Sequence, residues 1–265
     1  MSAGPPIVNA SRIVKRYGAV AALSELNLRV MPGDVYGLLG PNGAGKTTTL
    51  RVLSALETPT SGSVSVVGFD PVSRKVEVKR RTGYVPETAL LYESLTPREY
   101  FEFVAATREL DSRVRDRIAQ LASVFDIGGR LDVPIGALSM GTKQKISIIA
   151  AMMHRPSLLL LDEPLNGLDA KSSRILKELI LLHVESRGAV IFSTHIMEVA
   201  ESVCTRIGII DGGKIVAEGT VDELRNLSDS KGRSLEDIYL KFTNEEGFIA
   251  AAVAKLRGGV SDGPS

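Results

Sequence analysis

Residues 34–48, DVYGLLGPNGAGKTT, join a short apolar run to a loop rich in glycine. The glycines allow consecutive backbone N–H groups to point into one concavity, and a following helix adds the positive charge of its N-terminus. Lys46 would then bind the β- and γ-phosphates of a nucleotide, as a binding and catalytic residue. The Thr47 hydroxyl would ligate Mg²⁺. The pattern predicts a phosphate-binding loop. Its residues are Gly40, Pro41, Asn42, Gly43, Ala44, Gly45, Lys46, Thr47 and Thr48.

Two further apolar segments end in groups that could act on such a nucleotide. Residues 158–161 run into Asp162 and Glu163, and residues 189–193 run into a threonine and His195. Parallel sheets bind ligands outside the carboxyl ends of their strands, so these groups would meet around one γ-phosphate if the strands are neighbours. We expect Asp162 to complete the Mg²⁺ shell and Glu163 to polarise an attacking water. His195 would hold the γ-phosphate or fix the geometry of Glu163 and the water.

Hydrophobic periodicity predicts the elements that position these groups. The predicted strands cover residues 7–14, 23–30, 35–39, 63–67, 82–85, 157–161, 189–193, 206–211 and 214–218. The predicted helices cover residues 45–56, 71–81, 97–109, 111–125, 140–153, 170–186 and 196–203. Thr96, Pro97 and Glu99 form a strong helix start, and Ser139 is a natural N-cap for the helix after it.

The distribution of helix formers predicts three regions. An α/β core covers residues 1–87 and 154–220, and a helical subdomain covers residues 88–153. A helical tail follows from residue 221, and we expect residues 258–265 to be disordered. Residues 90–92, LLY, precede a capped helix with no obvious core to join, which makes them a candidate contact for a partner helix.

Composition excludes several classes of function. The 265 residues carry a net charge of +1, so we expect no nucleic-acid partner. The single cysteine excludes an internal disulfide and fits a reducing compartment. We see no signal peptide, and no apolar run reaches the roughly 20 residues of a membrane-spanning helix. The chain is therefore expected to be cytosolic or peripheral.

Taken together, the motifs resemble the ATPase subunit of ATP-binding-cassette (ABC) transporters over residues 7–219. They are Tyr17, GPNGAGKTT at 40–48, GYVPE at 83–87, LSMGT at 138–142, LLLLDEP at 158–164, GLD at 167–169 and STH at 193–195. The resemblance implies an α/β phosphate-loop NTPase core with a mixed sheet, an antiparallel β subdomain and an inserted α-helical subdomain. It also implies that two ATP molecules, each with Mg²⁺, are sandwiched between two such subunits.

The same resemblance implies roles that the residues alone do not. Tyr17 would stack on adenine. Without the resemblance, a tyrosine at this position would be interpreted as a packing residue. Ser139 and Gly141 would cap the γ-phosphate of the ATP held by the second ATPase subunit, whereas Ser139 alone is a helix cap. Asp169 would lie in the segment that contacts the opposite subunit. A transmembrane permease would be the other partner, placing the chain on the inner, cytoplasmic face of the cell membrane.

Two departures from the family pattern stand out. Glu87 replaces the usual glutamine, and a carboxylate near Mg²⁺ accepts hydrogen bonds but cannot donate them, so we count Glu87 with the metal residues. The signature is LSMGT where LSGGQ is commoner. Both departures, and the tail LEDIYLKFT at 235–243, resemble the single-cassette, ABC-2-type branch that exports drugs, lipids or polymers.

Two alternatives remain open from the sequence. A non-transport cassette ATPase would act on ribosomes or DNA, but such relatives usually carry two cassettes, a zinc module or a long coiled coil, and this chain has no CxxC pair. An unrelated phosphate-loop kinase or GTPase would leave LSMGT and STH unexplained.

Overall fold

The chain folds around a six-stranded mixed sheet, in a computed structural model that describes residues 4–227 and 234–243. The strand order is β5-β6-β7-β3-β8-β9, parallel except for the antiparallel β8–β9 hairpin at one edge. The strands are β3 (Val35–Leu39), β5 (Thr82–Val85), β6 (Leu158–Asp162), β7 (Ala189–Thr194), β8 (Arg206–Asp211) and β9 (Lys214–Gly219). Every residue of β3, β6 and β7 is buried, which explains why these strands are largely apolar before the polar residues at the ends of β6 and β7. The predicted mixed sheet is confirmed.

A second, antiparallel sheet has the order β2-β1-β4. Its strands are β1 (Val8–Tyr17), β2 (Val20–Val30) and β4 (Ser61–Val66). β1 and β2 extend further toward each other than the sequence predicts, and their last pair is Tyr17 with Val20. Tyr17 therefore lies at the tip of this hairpin.

The helices flank the sheets and connect the strands. They are α1 (Lys46–Leu53), α2 (Lys75–Arg81), α3 (Pro97–Thr107), α4 (Val114–Val124), α5 (Met140–Met152), α6 (Ala170–Glu185), α7 (Met197–Val203), α8 (Val221–Leu227) and α9 (Leu235–Phe242). The predicted start of α3 is confirmed: the Thr96 hydroxyl accepts from the Glu99 N–H, the Glu99 carboxylate accepts from the Thr96 N–H, and Pro97 follows the cap. Each such cap stabilises a helix by about 1 kcal/mol.

Two helices begin later than predicted, because an aspartate holds a turn in front of each. α2 begins at Lys75 rather than residue 71, since the Asp70 carboxylate accepts from the Val72 N–H at 2.8 Å. α4 begins at Val114 rather than residue 111, since Asp111 accepts from the Arg113 N–H at 2.9 Å. Aspartate side chains compete in this way with helical hydrogen bonds.

Helix α5 packs against the main sheet. Ile146 and Ile149 on α5 belong to the same apolar cluster as Leu159, Leu161 and Phe192 on β6 and β7. The cluster continues into α3 and α4, so one core joins the sheet to the helices predicted as a separate subdomain. The division at residues 88 and 153 stays a prediction.

The predicted helical tail contains α8 and α9. Its expected continuation to residue 257, and the expected disorder of 258–265, lie outside the described residues. Across residues 4–227 and 234–243, no helix combines the length and apolar character needed to cross a bilayer.

Candidate functional site

The three strands that carry chemically useful residues are adjacent in the sheet. β7 lies between β6 and β3, with Leu39 opposite Thr194 and Asp162 opposite Ser193 in the parallel register. Their carboxyl ends therefore meet at one edge, as the sequence anticipated.

The phosphate loop turns tightly between β3 and α1. Gly45 has φ of 111°, a conformation that favours glycine, and a side chain there would meet the Ala22 carbonyl oxygen at 2.8 Å. A side chain at Gly40 would lie 2.3 Å from the Ile210 carbonyl oxygen. These glycines are needed because neighbouring strands pack directly against the loop.

The Lys46 side chain is buried beneath this loop, with 6% of its surface exposed. Its Nζ donates to the carbonyl oxygens of Gly40 at 2.7 Å and Pro41 at 3.2 Å. Nζ also lies 3.5 Å from Glu163 Oε1. The predicted phosphate-binding cation and the predicted catalytic carboxylate therefore form a buried ion pair.

The Glu163 carboxylate contacts both Lys46 and His195. Glu163 follows β6 with φ of 45°, in the left-handed region that non-glycine residues adopt mainly at constrained sites. Its Oε1 lies 2.9 Å from His195 Nδ1, and its backbone N–H donates to Ser193 Oγ at 3.0 Å. The Glu163 side chain is 6% exposed and that of His195 is 49% exposed, so the histidine lies between the buried carboxylate and solvent.

Asp162 presents one oxygen to the protein and leaves the other free. Oδ1 accepts a hydrogen bond from Ser193 Oγ at 2.7 Å. Oδ2 is buried and has no hydrogen-bond partner among the described residues. A buried unpartnered carboxylate oxygen is costly unless a cation or donor satisfies it. Hard oxygen donors suit Mg²⁺, so Asp162 and the Thr47 hydroxyl fit the predicted metal role.

A cavity of about 370 Å³ opens over the loop. Its lining includes Glu87 and Glu163 together with most of the phosphate loop. The complete lining is Ala22, Pro41, Asn42, Gly43, Gly45, Lys46, Thr47, Thr48, Glu87 and Glu163. The structure thus brings Glu87, the departure from the family glutamine, to the predicted metal and phosphate site. Within the described chain, no group of three or more His, Cys, Asp and Glu side chains is arranged to hold a metal ion.

Tyr17 is not part of this cavity lining. The side chain is 45% exposed, and Lys15 Nζ lies 4.9 Å from its ring centroid. The exposed ring of Tyr17 is available for stacking. The adenine role of Tyr17 stays a prediction.

The three residues expected at a second subunit also lie outside the cavity lining. Ser139 is an exposed N-cap of α5, and its hydroxyl accepts from the Thr142 N–H at 3.3 Å, as predicted. A side chain at Gly141 would lie 2.6 Å from the Gly167 carbonyl oxygen, so this position must remain small.

Asp169 caps helix α6. Its Oδ1 accepts from the Ser172 N–H at 2.8 Å, and Lys145 Nζ on α5 donates to Oδ2 at 3.1 Å. Hydrogen bonds from Ser172, then the one from Lys145, hold the pKa of Asp169 well below its usual range. Asp169 therefore ties the GLD segment to the helix that carries the signature.

The sequence reasoning missed Ser193 as a site residue. Ser193 is fully buried and bonds to both Asp162 and Glu163. The STH motif contains this serine, but only its position opposite Asp162 in the parallel register reveals the contact.

Comparison with known proteins agrees with this geometry. A model of the family described as "ABC transporter" matches residues 23–166. The chain is 36% identical to "Daunorubicin resistance ATP-binding protein DrrA3" of Streptomyces coeruleorubidus, over 91% of this chain and 75% of that protein. It is 33% identical to "Probable multidrug ABC transporter ATP-binding protein YbhF" of Escherichia coli strain K12, over 93% of this chain. The chain spans only 42% of the length of YbhF.

Solved structures show the same fold. "Structure of ATP binding subunit of ABC transporter" superposes with a TM-score of 0.86 at 31% identity, covering 89% of this chain and 99% of that one. An ATP-binding cassette solved as a dimer bound to ADP and Pi matches with a TM-score of 0.74 at 24% identity, covering 81% of this chain and 98% of that one.

Proposed function

The chain belongs to the ABC transporter family, and from that membership we propose that it binds and hydrolyses MgATP to drive a separate membrane permease. One observation carries the proposal. Lys46, Glu163 and His195 form a continuous chain of contacts at the phosphate-loop cavity, next to the unpartnered oxygen of Asp162. A phosphate cradle, a carboxylate for water and a free metal ligand are what phosphoryl transfer to water requires.

Each residue has a role that follows from its position. The loop N–H groups and Lys46 bind the β- and γ-phosphates, and entry of the γ-phosphate gives Lys46 Nζ a second anionic partner. Glu163 polarises the attacking water, while His195 holds the Glu163 carboxylate through its Nδ1 contact. Asp162 and Thr47 hold the metal, with Glu87 close by in the same cavity. When bound, Mg²⁺ neutralises charge that develops on the phosphates.

The site requires a second ATPase subunit. Ser139 and Gly141 lie at the N-terminus of α5, outside the cavity of their own chain, and Ser139 is exposed. A helix N-terminus favours anions, so these residues are suited to the γ-phosphate held by another subunit, identical or related. Asp169, which accepts a hydrogen bond from Lys145 on α5, would lie at that contact as well.

A cleft between the sheet and the helices is the proposed permease dock. Its cavity of about 580 Å³ is lined by Arg51, Arg108, Leu90 and Tyr100, among others. Arg108 is partly buried, and its Nη1 donates to the Lys79 carbonyl oxygen at 2.8 Å. Apolar side chains beside cations suit an amphipathic helix that carries acidic residues. The dock would hold the chain at the inner face of the cell membrane.

Export is the direction that the relatives support. DrrA3 is named for daunorubicin resistance, and a Bacillus licheniformis relative is named "Bacitracin transport ATP-binding protein BcrA". We propose that this chain also serves export, with drugs, lipids or polymers as the classes of cargo. Nothing in the described residues favours the alternative of action on ribosomes or DNA.

The test of this function is Glu163→Gln, which keeps the shape of the side chain but removes its charge. ATP turnover should fall by about 100-fold or more, the usual scale for a general base, while ATP stays bound. ATP should then trap a dimer visible by size-exclusion chromatography. Glu178→Gln, which alters an exposed carboxylate paired with Arg174 on α6, is the matched control and should hydrolyse normally. Unchanged turnover in Glu163→Gln would contradict the proposal.

A further inference from the structure

A second polar cavity lies at the edge of the main sheet opposite the phosphate loop. Its volume is about 560 Å³, within the range of small-molecule sites. It is bounded by α4, by the turn from α5 into β6 and by the end of α6 with its turn into β7. Arg117, Arg155 and Arg187 all line it. None of these residues has a role in the function proposed above.

The topology explains why the arginines converge. Arg155 and Arg187 each lie in the turn that joins a helix to a parallel strand, so both lie near the amino ends of neighbouring strands β6 and β7. Both have positive φ, 50° and 63°, at helix ends where glycine or asparagine is usual. Two arginines thus occupy equivalent turns on one edge of the sheet, and Arg117 on α4 adds a third.

These guanidinium groups lack counterions within the described part of the chain. None of Arg117, Arg155 and Arg187 has an ion pair or a side-chain hydrogen bond there, and Arg117 Nε is shielded from water without any partner. Burial, then the charge of Arg155, lowers the pKa of Arg117. Arg113, one turn earlier, shows the usual arrangement, since its Nη2 lies 2.5 Å from Asp111 Oδ2.

Other lining groups are compatible with an anion. His183 Nε2 is buried without a hydrogen-bond partner in the described part of the chain, and burial lowers the pKa of this histidine. Hydroxyl groups of Ser157 and Ser186 also line the cavity. Glu185 contributes the one carboxylate of this lining, so arginines outnumber carboxylates there by three to one.

We propose that this cavity binds a phosphate-bearing anion at a site separate from the nucleotide loop. Guanidinium groups bind phosphate through paired, charge-assisted hydrogen bonds, and the excess of arginine over carboxylate matches a ligand of two or more negative charges. The phosphate belongs either to a small free polyphosphate or to the headgroup of an anionic lipid.

The experiment begins from a variant with an impaired nucleotide site. In Lys46→Ala, which weakens phosphate binding at the loop, pyrophosphate binding is measured by isothermal titration calorimetry. Adding Arg117→Gln and Arg155→Gln should weaken that binding by about tenfold or more, because charge-assisted hydrogen bonds are lost. Adding Arg113→Gln instead removes a nearby arginine that is already paired with Asp111, and should change nothing. ATP binding by Arg117→Gln/Arg155→Gln with Lys46 intact checks that the protein remains folded.

A lipid arm distinguishes the two sources of phosphate. Flotation with phosphatidylcholine vesicles is compared with flotation on vesicles that also contain phosphatidylglycerol. Pyrophosphate binding that depends on Arg117 and Arg155 supports a free ligand. Binding only to the anionic vesicles, with the same dependence, supports a headgroup. Binding to neither probe, or equal loss in the Arg113→Gln variant, overturns the proposal.

Discussion

Ser193 Oγ donates a hydrogen bond to Asp162 Oδ1 over 2.7 Å, between the neighbouring parallel strands β6 and β7. The same oxygen accepts from the Glu163 N–H at 3.0 Å. One hydroxyl therefore orients the predicted metal ligand and anchors the residue predicted to polarise water. Because Oδ1 is already bonded, only Oδ2 of Asp162, which has no hydrogen-bond partner among the described residues, would be left for the predicted metal.

We expect Ser193→Ala to impair metal use more than nucleotide binding. Partners that orient a metal ligand typically change metal affinity by about 10- to 100-fold when removed. The Mg²⁺ concentration for half-maximal ATPase activity should rise by about tenfold, while ATP binding without Mg²⁺ stays close to that of the parent. Ser202→Ala, which removes an exposed hydroxyl bonded to Lys177, is the control. An unchanged Mg²⁺ requirement would show that Ser193 has only a packing role.

Lys46→Ala should weaken MgATP binding. The substitution removes a buried charge from the floor of the phosphate loop, and a hydrogen bond to a charged group contributes about 1.5–3 kcal/mol. The dissociation constant for ATP at fixed Mg²⁺, measured by calorimetry, should rise at least about tenfold. Lys171→Ala, at an exposed lysine 3.5 Å from Asp126, should bind normally. Equal affinity in Lys46→Ala and the parent would refute the assignment of the loop.

Glu87→Gln tests the departure from the family pattern. Glu87 lines the phosphate cavity, so neutralising it should leave the protein folded and able to bind ATP. We expect the effect on ATPase rate mainly in the complex with a permease, because this residue begins the loop that leads to the proposed dock. Glu102→Gln, on the exposed surface of α3, is the control. A large fall in melting temperature would instead identify Glu87 as a structural acid.

The loop 90–92 contains two exposed residues and one partly buried residue, which changes the variant that tests the dock. Leu91 packs against the apolar cluster of the helices, contrary to the expectation that all three residues lack a core. Leu90 is 79% exposed, and Tyr92 is 58% exposed with its ring 5.4 Å from that of Phe103. Replacing Leu91 by a charged residue should therefore destabilise the fold. Replacing Leu90 and Tyr92 by charged residues should affect docking alone.

We expect Leu90→Glu with Tyr92→Glu to detach the chain from membranes that contain its permease, while ATP binding in solution persists. Co-sedimentation with those membranes measures the loss. Val76→Glu places the same charge at an apolar side chain on α2 that is 60% exposed, and should not alter attachment. If the Leu90→Glu/Tyr92→Glu variant still binds the membranes, and binding is lost only when the tail after Val221 is altered, the dock lies in the tail.

The sequence alone determined the features that depend on near neighbours. The phosphate loop needs its glycines, Lys46 and Thr47 in one short run, and the caps Thr96 and Ser139 bond to N–H groups three residues away. Strands β3, β6 and β7 are buried at every position and largely apolar before their carboxyl ends, so they were also visible as short apolar runs. Such signals are local, because both partners lie within one turn or one strand.

Only the tertiary structure decided which distant residues meet. The sequence of an apolar strand does not indicate which strand it pairs with. The contact of Ser193 with Asp162 therefore follows only from the order and register of β6 and β7. The close approach of Gly141 to the Gly167 carbonyl and the packing of Leu91 against the helical cluster likewise arise from contacts between separate elements. Side chains far apart in the chain are brought together by burial of the whole core, and no short pattern encodes that arrangement.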